Sequence, residues 1–505
     1  MESARPKYHE GLSIANGLDH APRQWYPRRR LSKAKSMNLQ QIAAEVSTHW
    51  DRSALPALVN FIRIPNQSPL FDPEWKRHGH MGRAVALALD WVQKQQIAGL
   101  RAEVHEIDGR TPLLFIEIDG DPSSTVLMYG HLDKQPPMLP WDSGLEPWTP
   151  VLRDGKLYGR GGADDGYAVF AAISAVRVLQ QQKVRHARIV VIAECCEESG
   201  STDLPAYIER LANQIGTPRL IVCLDSGCGN YDQLWMTTSL RGAIVGNLRV
   251  DVLTEGVHSG DASGIVPTSF RILRILLDRL EDSSSGRIVP DWLHVEVPSR
   301  RLAEVRETAR ILGEEIYDKF PLVPGMQPVS KDPTDLLLNR TWRPTLSITG
   351  QAGMPDLVQG GNVLRPYTSL KLSIRLPPSL DARDLDRTLK TLFESDPPYG
   401  ARITFEAEKG ASGWEAPKTA DWLAAAVDQA SRTFFGKPPV TWGEGGSIPF
   451  MGMLGERYPD AQFLITGVLG PHSNAHGPNE FLHIQTAKNV TASVAHVLAA
   501  EAISR

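Results

Sequence analysis

Arg188 to Ala193 is a β-branched apolar run with no polar alternation until Glu194, and it is one of several in this chain. Leu113–Ile118, Thr125–Met128, Leu220–Leu224 and Phe463–Thr466 are similar runs of strand length. Between them lie stretches of helical patterning: Met81–Gln96, with Val85, Leu87, Leu89 and Val92 among its apolar positions, and Gly166–Gln181. Strands apolar on both sides and separated by helices need a sheet covered on both faces, which is characteristically parallel. The expected fold class is α/β, with a mostly parallel, doubly covered sheet. In such sheets ligands sit beyond the carboxyl ends of the strands.

The middle of the chain follows another rule. Ala243, Val245, Leu248 and Val250 suggest an alternating strand over 241–250. Pro267 is expected to open a helix with Phe270, Leu273, Leu276, Leu277 and Leu280 on one stripe. Pro344–Ile348 and Ser369–Arg375 alternate like antiparallel strands. Residues 241–412 are therefore predicted to form an inserted α+β domain, dividing a catalytic domain into 37–240 and 413–505. Residues 1–36, with Pro6, Pro22 and Pro27, have the pattern of an irregular extension. A chain of 505 residues exceeds a single core, so two domains are the natural expectation.

A formal net charge of -4 provides no broad basic field, which argues against nucleic acid as a main partner. No apolar stretch reaches the roughly 18 residues of a membrane span. Arg28, Arg29 and Arg30 are not followed by the apolar core of a secretory signal, so a cytoplasmic location is expected. All four cysteines fall between Cys195 and Cys228, beside apolar runs, and suit reduced buried thiols better than a disulfide framework.

Metal-seeking side chains stand where the runs end. His131 follows one run, and Asp133 two residues on could accept its other ring proton, the usual support for a ligating imidazole. Asp164, after Gly159-Arg160-Gly161-Gly162, could cap the helix that follows or bridge two cations, one oxygen to each. Asp165 competes for the capping role. Glu197 and Glu198 directly after a buried strand are a liability unless cations or protons offset them. Adjacent residues point apart, which makes Glu198 the metal candidate and Glu197 a free base. Asp225 repeats the strand-end position, and His476 closes a Gly/Pro/Ser/Asn-rich loop in which His472 is its local competitor.

Gly-His-Leu-Asp at 130–133, Tyr-Gly-Arg-Gly at 158–161, Glu-Glu-Ser-Gly-Ser at 197–201, Glu-Gly-Gly-Ser-Ile-Pro at 444–449 and Ala-His-Gly-Pro-Asn-Glu at 475–480 occur in that order. With these motifs the chain, from about residue 40 onward, resembles the dizinc metallopeptidase family of carnosinase, cytosolic nonspecific dipeptidase and aminoacylase. It is most similar to the carnosinase and nonspecific dipeptidase branch. The resemblance implies a metallopeptidase that cleaves dipeptides with a water activated by two divalent metal ions. It further implies that His131, Asp164 and Asp225 hold one metal and that Asp164, Glu198 and His476 hold the other. Glu197 would be the general base and Asp133 the residue that orients His131. His258, Asn362 and Arg375 match lid residues that contact substrate, with His258 reaching the partner subunit's site, so a homodimer through the inserted domain is implied. Gly445, Gly446 and Ser447 look like the loop near the substrate carboxylate. Zinc suits the mix of imidazole and carboxylate, and manganese or cobalt fits the same donors.

The chain also departs from that pattern. Asp164-Asp165-Gly166-Tyr167 lacks the lysine usual after the paired acids, and Glu408 to Trp414 lacks a second lid histidine of the carnosinases. The second departure weakens the case for carnosine as substrate and leaves the metal site intact. Two other readings compete: an N-acyl or N-carbamoyl amino acid amidohydrolase with the same metals, and an inactive binding protein on the same fold.

Overall fold

The computed structural model describes residues 37–504, so the expected extension over 1–36 lies outside the described residues. Its central sheet has six strands in the order Leu100–His105, Leu113–Ile118, Ala187–Glu194, Asp121–His131, Pro218–Cys223, Gln462–Ile465. The first two pairings are antiparallel and the other three parallel. The sheet is therefore mostly parallel, with an antiparallel edge.

Both faces are covered, which explains the unbroken apolar runs. From the strand Ala187–Glu194, Ile189, Val191 and Ala193 enter one core with the helices Tyr167–Gln181 and Ile484–Ile503. Val190 and Ile192 enter a second core with the helices Leu204–Arg210 and Pro449–Arg457. Each fully buried Val, Leu or Ile side chain contributes roughly 1.5–3 kcal/mol, so the two cores fix the sheet on which the loops stand. All four cysteines are free and buried.

A separate antiparallel sheet has the order Thr345–Ala352, Tyr367–Leu376, Gly242–Asp251, Arg402–Ala411. Buried and half-buried residues alternate along Gly242–Asp251 and Tyr367–Leu376, the signature of a sheet packed on one face. The helices Ser269–Leu277 and Leu385–Glu394 cover that face. Thr268 caps the first of them by accepting from the Arg271 amide, so the helix begins at Ser269 rather than Pro267. Its buried stripe is Ile272, Leu273 and Leu276, continued by Leu280. Phe270 is 46% exposed, because it lies roughly 100° around the helix from the stripe's centre.

The helices Ser299–Leu312 and Pro333–Thr341 leave that sheet. They pack instead with Trp235 and Trp442, from the parallel strands Trp235–Leu240 and Val440–Glu444.

Candidate metal centre

The turn presenting Asp164 is built around one buried carboxylate. Glu480 Oε2 accepts from Arg160 Nη1 at 2.8 Å and from the Gly161 amide at 3.0 Å. Its Oε1 accepts from the amides of Ala163 at 3.1 Å and Asp164 at 3.2 Å. Gly161 has φ +73°, and a Cβ there would sit 2.4 Å from Lys134 Cγ, so only glycine fits. Lys134, also buried, donates Nζ to the carbonyls of Phe61 at 2.8 Å and Ile64 at 2.7 Å. The helix that follows starts at Tyr167 with no side-chain cap, so neither Asp164 nor Asp165 plays that role. Asp165 Oδ2 instead accepts from the His131 amide at 3.3 Å. Glu480, Arg160 and Lys134 were given no role from sequence, although Arg160 and Glu480 sit inside the quoted motifs.

Four strand ends converge on Asp164. His131 Nε2 is 3.2 Å from Asp164 Oδ1 and 3.8 Å from Asp225 Oδ2. His476 Nε2 is 3.0 Å from Asp164 Oδ2 and 3.3 Å from Glu198 Oε2. The two oxygens of Asp164 thus face different imidazoles. His476 adopts φ +65°, a sparsely populated conformation for a residue with a side chain, at the end of its loop. Ligand atoms of His131, Asp164 and Glu198 lie within 4.8 Å of one another, as do those of His131, Glu197 and Asp225. Glu197 is therefore nearer the His131–Asp225 side than a purely free base would be.

Asp133 does two jobs. Its backbone carbonyl is 3.1 Å from His131 Nδ1, while its carboxylate is 3.4 Å away. The carboxylate also accepts from the amides of Glu197 at 3.1 Å and Glu198 at 3.0 Å. Carbonyl and carboxylate of Asp133 thus both face the imidazole, and the carboxylate also shapes the glutamate turn.

Electrostatically the cluster is short of cations. Burial, reinforced by neighbouring carboxylates, pushes Asp225 and Glu198 well above the usual carboxylate range and Glu197 up to about 8. Asp164 is buried too, yet hydrogen bonds with His131 and His476 hold it well below that range. Burial works against a charge on His131, but Asp225, Asp133 and Asp164 raise its pKa well above the ordinary value. Glu198 Oε1 is buried and has no donor among the described residues. Several crowded acids and two imidazoles must share protons here, and divalent cations would replace those protons directly. The imidazole and carboxylate donors fit such ions.

Glu194, one strand residue in register with His131, was not singled out from sequence. It accepts from Tyr129 Oη at 2.7 Å and Ser201 Oγ at 2.8 Å. Burial and the Asp133 charge push it up to about 8.

The remaining candidates lie apart from this cluster. His258 ends the short segment Val257–His258 and Asn362 directly precedes its partner segment Val363–Leu364, and the Ser259 amide donates to Asn362 O at 2.9 Å. Both are exposed, and among the described residues neither is hydrogen-bonded or ion-paired to the metal-seeking side chains. Arg375 and Ser447 do meet: Nη1 donates to Oγ at 3.2 Å. The Arg241 side chain donates to Gly445 O and its amide to Gly446 O, each at 3.1 Å, so Gly445, Gly446 and Ser447 form a held turn.

Residues 127–500 match the profile of Peptidase family M20/M25/M40. The cysteinylglycine-S-conjugate dipeptidase of Corynebacterium striatum is 26% identical over 414 residues, 79% of this chain and 88% of that protein. The human Beta-Ala-His dipeptidase is 27% identical over 494 residues, covering 89% of this chain and 91% of its own. The solved di-peptidase Dug1p of Saccharomyces cerevisiae superposes with a TM-score of 0.73 at 21% identity, over 92% of this chain and 99% of that one, and so shares the fold.

Proposed function

This chain belongs to Peptidase family M20/M25/M40, and on that premise we propose that it is a dipeptidase, hydrolysing the amide bond with two divalent cations held around Asp164. The observation carrying this reading is the pair of imidazoles, His131 and His476, facing opposite oxygens of one carboxylate. In this reading His131, Asp164 and Asp225 hold one cation, and Asp164, Glu198 and His476 the other. Two such cations supply a Lewis acid for the scissile carbonyl and lower the pKa of the attacking water. Zinc is our choice of metal, with manganese or cobalt suited to the same donors.

Glu197 takes the proton of the attacking water and passes it to the leaving amine. Burial raises the proton affinity of its carboxyl, and cations bound beside it would lower that affinity again, leaving a carboxylate free to accept the proton at neutral pH. Asp133 holds the Glu197 and Glu198 amides, so the base and the neighbouring ligand keep their separate directions. Arg375 and Ser447, already paired, receive the substrate carboxylate beside Gly445 and Gly446.

His258 and Asn362 serve the partner subunit of a homodimer in this reading. Nearby Ile265, Leu357 and Val358 are 80%, 99% and 99% exposed, an apolar surface that a second copy would cover. We take 37–240 with 413–505 as the catalytic domain and 241–412 as the inserted lid and dimerisation domain. The separate core of the antiparallel sheet supports this division. No helix among the described residues is long and apolar enough to cross a membrane. Four free, buried cysteines suit a reducing, cytoplasmic setting.

The test is a panel of free dipeptides against N-acetyl and N-carbamoyl amino acids, using protein stripped of metal and reloaded with zinc, manganese or cobalt. Metal-dependent release of amino acids from free dipeptides is expected. Cleavage of only the N-blocked compounds would contradict the proposal.

A further inference from the structure

Residues 134–142 run from the Glu198 carboxylate to the loop that carries His476. The segment starts at buried Lys134, whose Nζ donates to the Phe61 and Ile64 carbonyls. The Lys134 carbonyl accepts from the Ser68 amide at 2.9 Å. The next residue, Gln135, donates Nε2 to Glu198 Oε2 at 2.5 Å. At the far end the Asp142 amide donates to Asn479 Oδ1 at 2.8 Å. Asn479 lies three residues beyond His476. Pro136, Pro137 and Pro140 stand between these tethers and fix φ at three positions. Trp141 Nε1 donates to Pro137 O at 2.7 Å, so the segment also closes on itself. The Trp141 ring centroid is 5.8 Å from the guanidinium of Arg160, the partner of Glu480.

Both ends act on the same side of the centre. Glu198 Oε2 faces His476 Nε2 at 3.3 Å, and its other oxygen has no donor. Among the described residues, only Gln135 and His476 hydrogen-bond or pair with that carboxylate. A single donor therefore sets its plane. The His476 loop has the opposite difficulty: His476 at φ +65° and Asn479 at φ +62° both hold a sparsely populated backbone conformation. The Asp142 amide ties that conformation to the segment. His131 is supported separately, by Asp133. Among the described residues no hydrogen bond joins 135–142 to His131 or Asp225.

We propose that Gln135 and the Asp142–Asn479 tether are positioning elements for one cation alone, the one assigned to Glu198 and His476. The inference rests on the two-cation reading of the centre and adds a device that tunes the two affinities separately. A donor that orients a ligating side chain typically contributes about 10- to 100-fold in metal affinity. The backbone tether, a neutral hydrogen bond, contributes about 5-fold.

The test is calorimetric titration of metal-stripped protein with zinc against a competing chelator. Gln135→Met keeps the length of the side chain and removes its donor. Asn479→Gly keeps the backbone conformation and removes the acceptor, whereas Asn479→Asp keeps both. Two backgrounds identify the sites: Asp225→Asn retains the cation between Glu198 and His476, and His476→Ala retains the other. In the Asp225→Asn background, Gln135→Met should weaken zinc about 10- to 100-fold and Asn479→Gly about 5-fold. Neither should change the affinity in the His476→Ala background, and Asn479→Asp should match its parent in both. Each tether is judged by its own variant. An equal loss in both backgrounds would show a general structural effect, and no loss in the first would show no part in metal binding. Either result overturns the proposal. Binding of no divalent cation by the unsubstituted protein would instead sink the two-cation reading on which the proposal rests.

Discussion

Arg160 Nη1 donates to Glu480 Oε2 at 2.8 Å with both side chains out of water, 320 positions apart in sequence. The same carboxylate accepts the amides of Gly161, Ala163 and Asp164. It thereby joins the loop that carries His476 to the turn that carries Asp164.

Breaking that pair leaves a buried charge alone, a change typically costing about 3–5 kcal/mol. Glu480→Gln should therefore lower the urea midpoint markedly and also weaken metal binding, because the Asp164 turn loses its anchor. Unchanged stability together with unchanged metal affinity would remove Glu480 from this positioning role.

Glu197→Gln keeps the shape of the side chain and removes its proton affinity. Turnover should fall by about two to four orders of magnitude while two metals per chain remain, since general acid–base help is of that size. Retained turnover in the metal-loaded variant would strip Glu197 of its assigned role.

Metal stoichiometry separates the bridge from the single-site ligands. Asp164→Asn should weaken both sites, whereas Asp225→Asn and His476→Ala should each leave about one tightly held metal. Elemental analysis after gel filtration reads this directly. Equal losses in all three variants would show that Asp164 has no special position.

Two buried histidines set an acid limit on stability. Burial, with the Arg177 charge adding for His49, pushes His49 and His496 down to about 4. Among the described residues neither ring nitrogen of His496 has a hydrogen-bond partner. The unfolded chain takes up these protons near pH 6.5, while the folded protein refuses them until about pH 4. Their neutral, buried state is therefore fully tolerated above roughly pH 6.5, and stability falls as pH drops from there toward 4. Urea midpoints measured from pH 7 to pH 5 should decline less steeply in a His496→Leu variant. Equal slopes would contradict this assignment.

The strand-end pattern was legible because it follows from burial: a run apolar on both faces must end where the chain leaves the sheet. His131, Asp225 and the Glu197–Glu198 pair could be located that way. The contact between His131 and His476 through Asp164 was not available from periodicity. It came from the resemblance, because loop closure over hundreds of residues leaves no local trace. Glu480 shows the other limit. An acid after a polar loop has the look of a solvated charge, and only the turn it fills reveals four donors converging on it. The Asp133 carboxylate, expected to orient His131, lies 3.4 Å from its Nδ1, and the structure adds what the spacing does not show: the Asp133 carbonyl is nearer still at 3.1 Å, and the carboxylate also accepts two amides. Phe270, expected on the buried stripe with Leu273 and Leu276, lies roughly 100° around the helix from the centre of that stripe and so faces solvent.

Anomalous diffraction from crystals of the zinc-loaded protein tests the central claim most directly. Two peaks per chain are predicted, one between Asp164, His131 and Asp225 and one between Asp164, His476 and Glu198. A single peak, or none beside Asp164, would contradict the account.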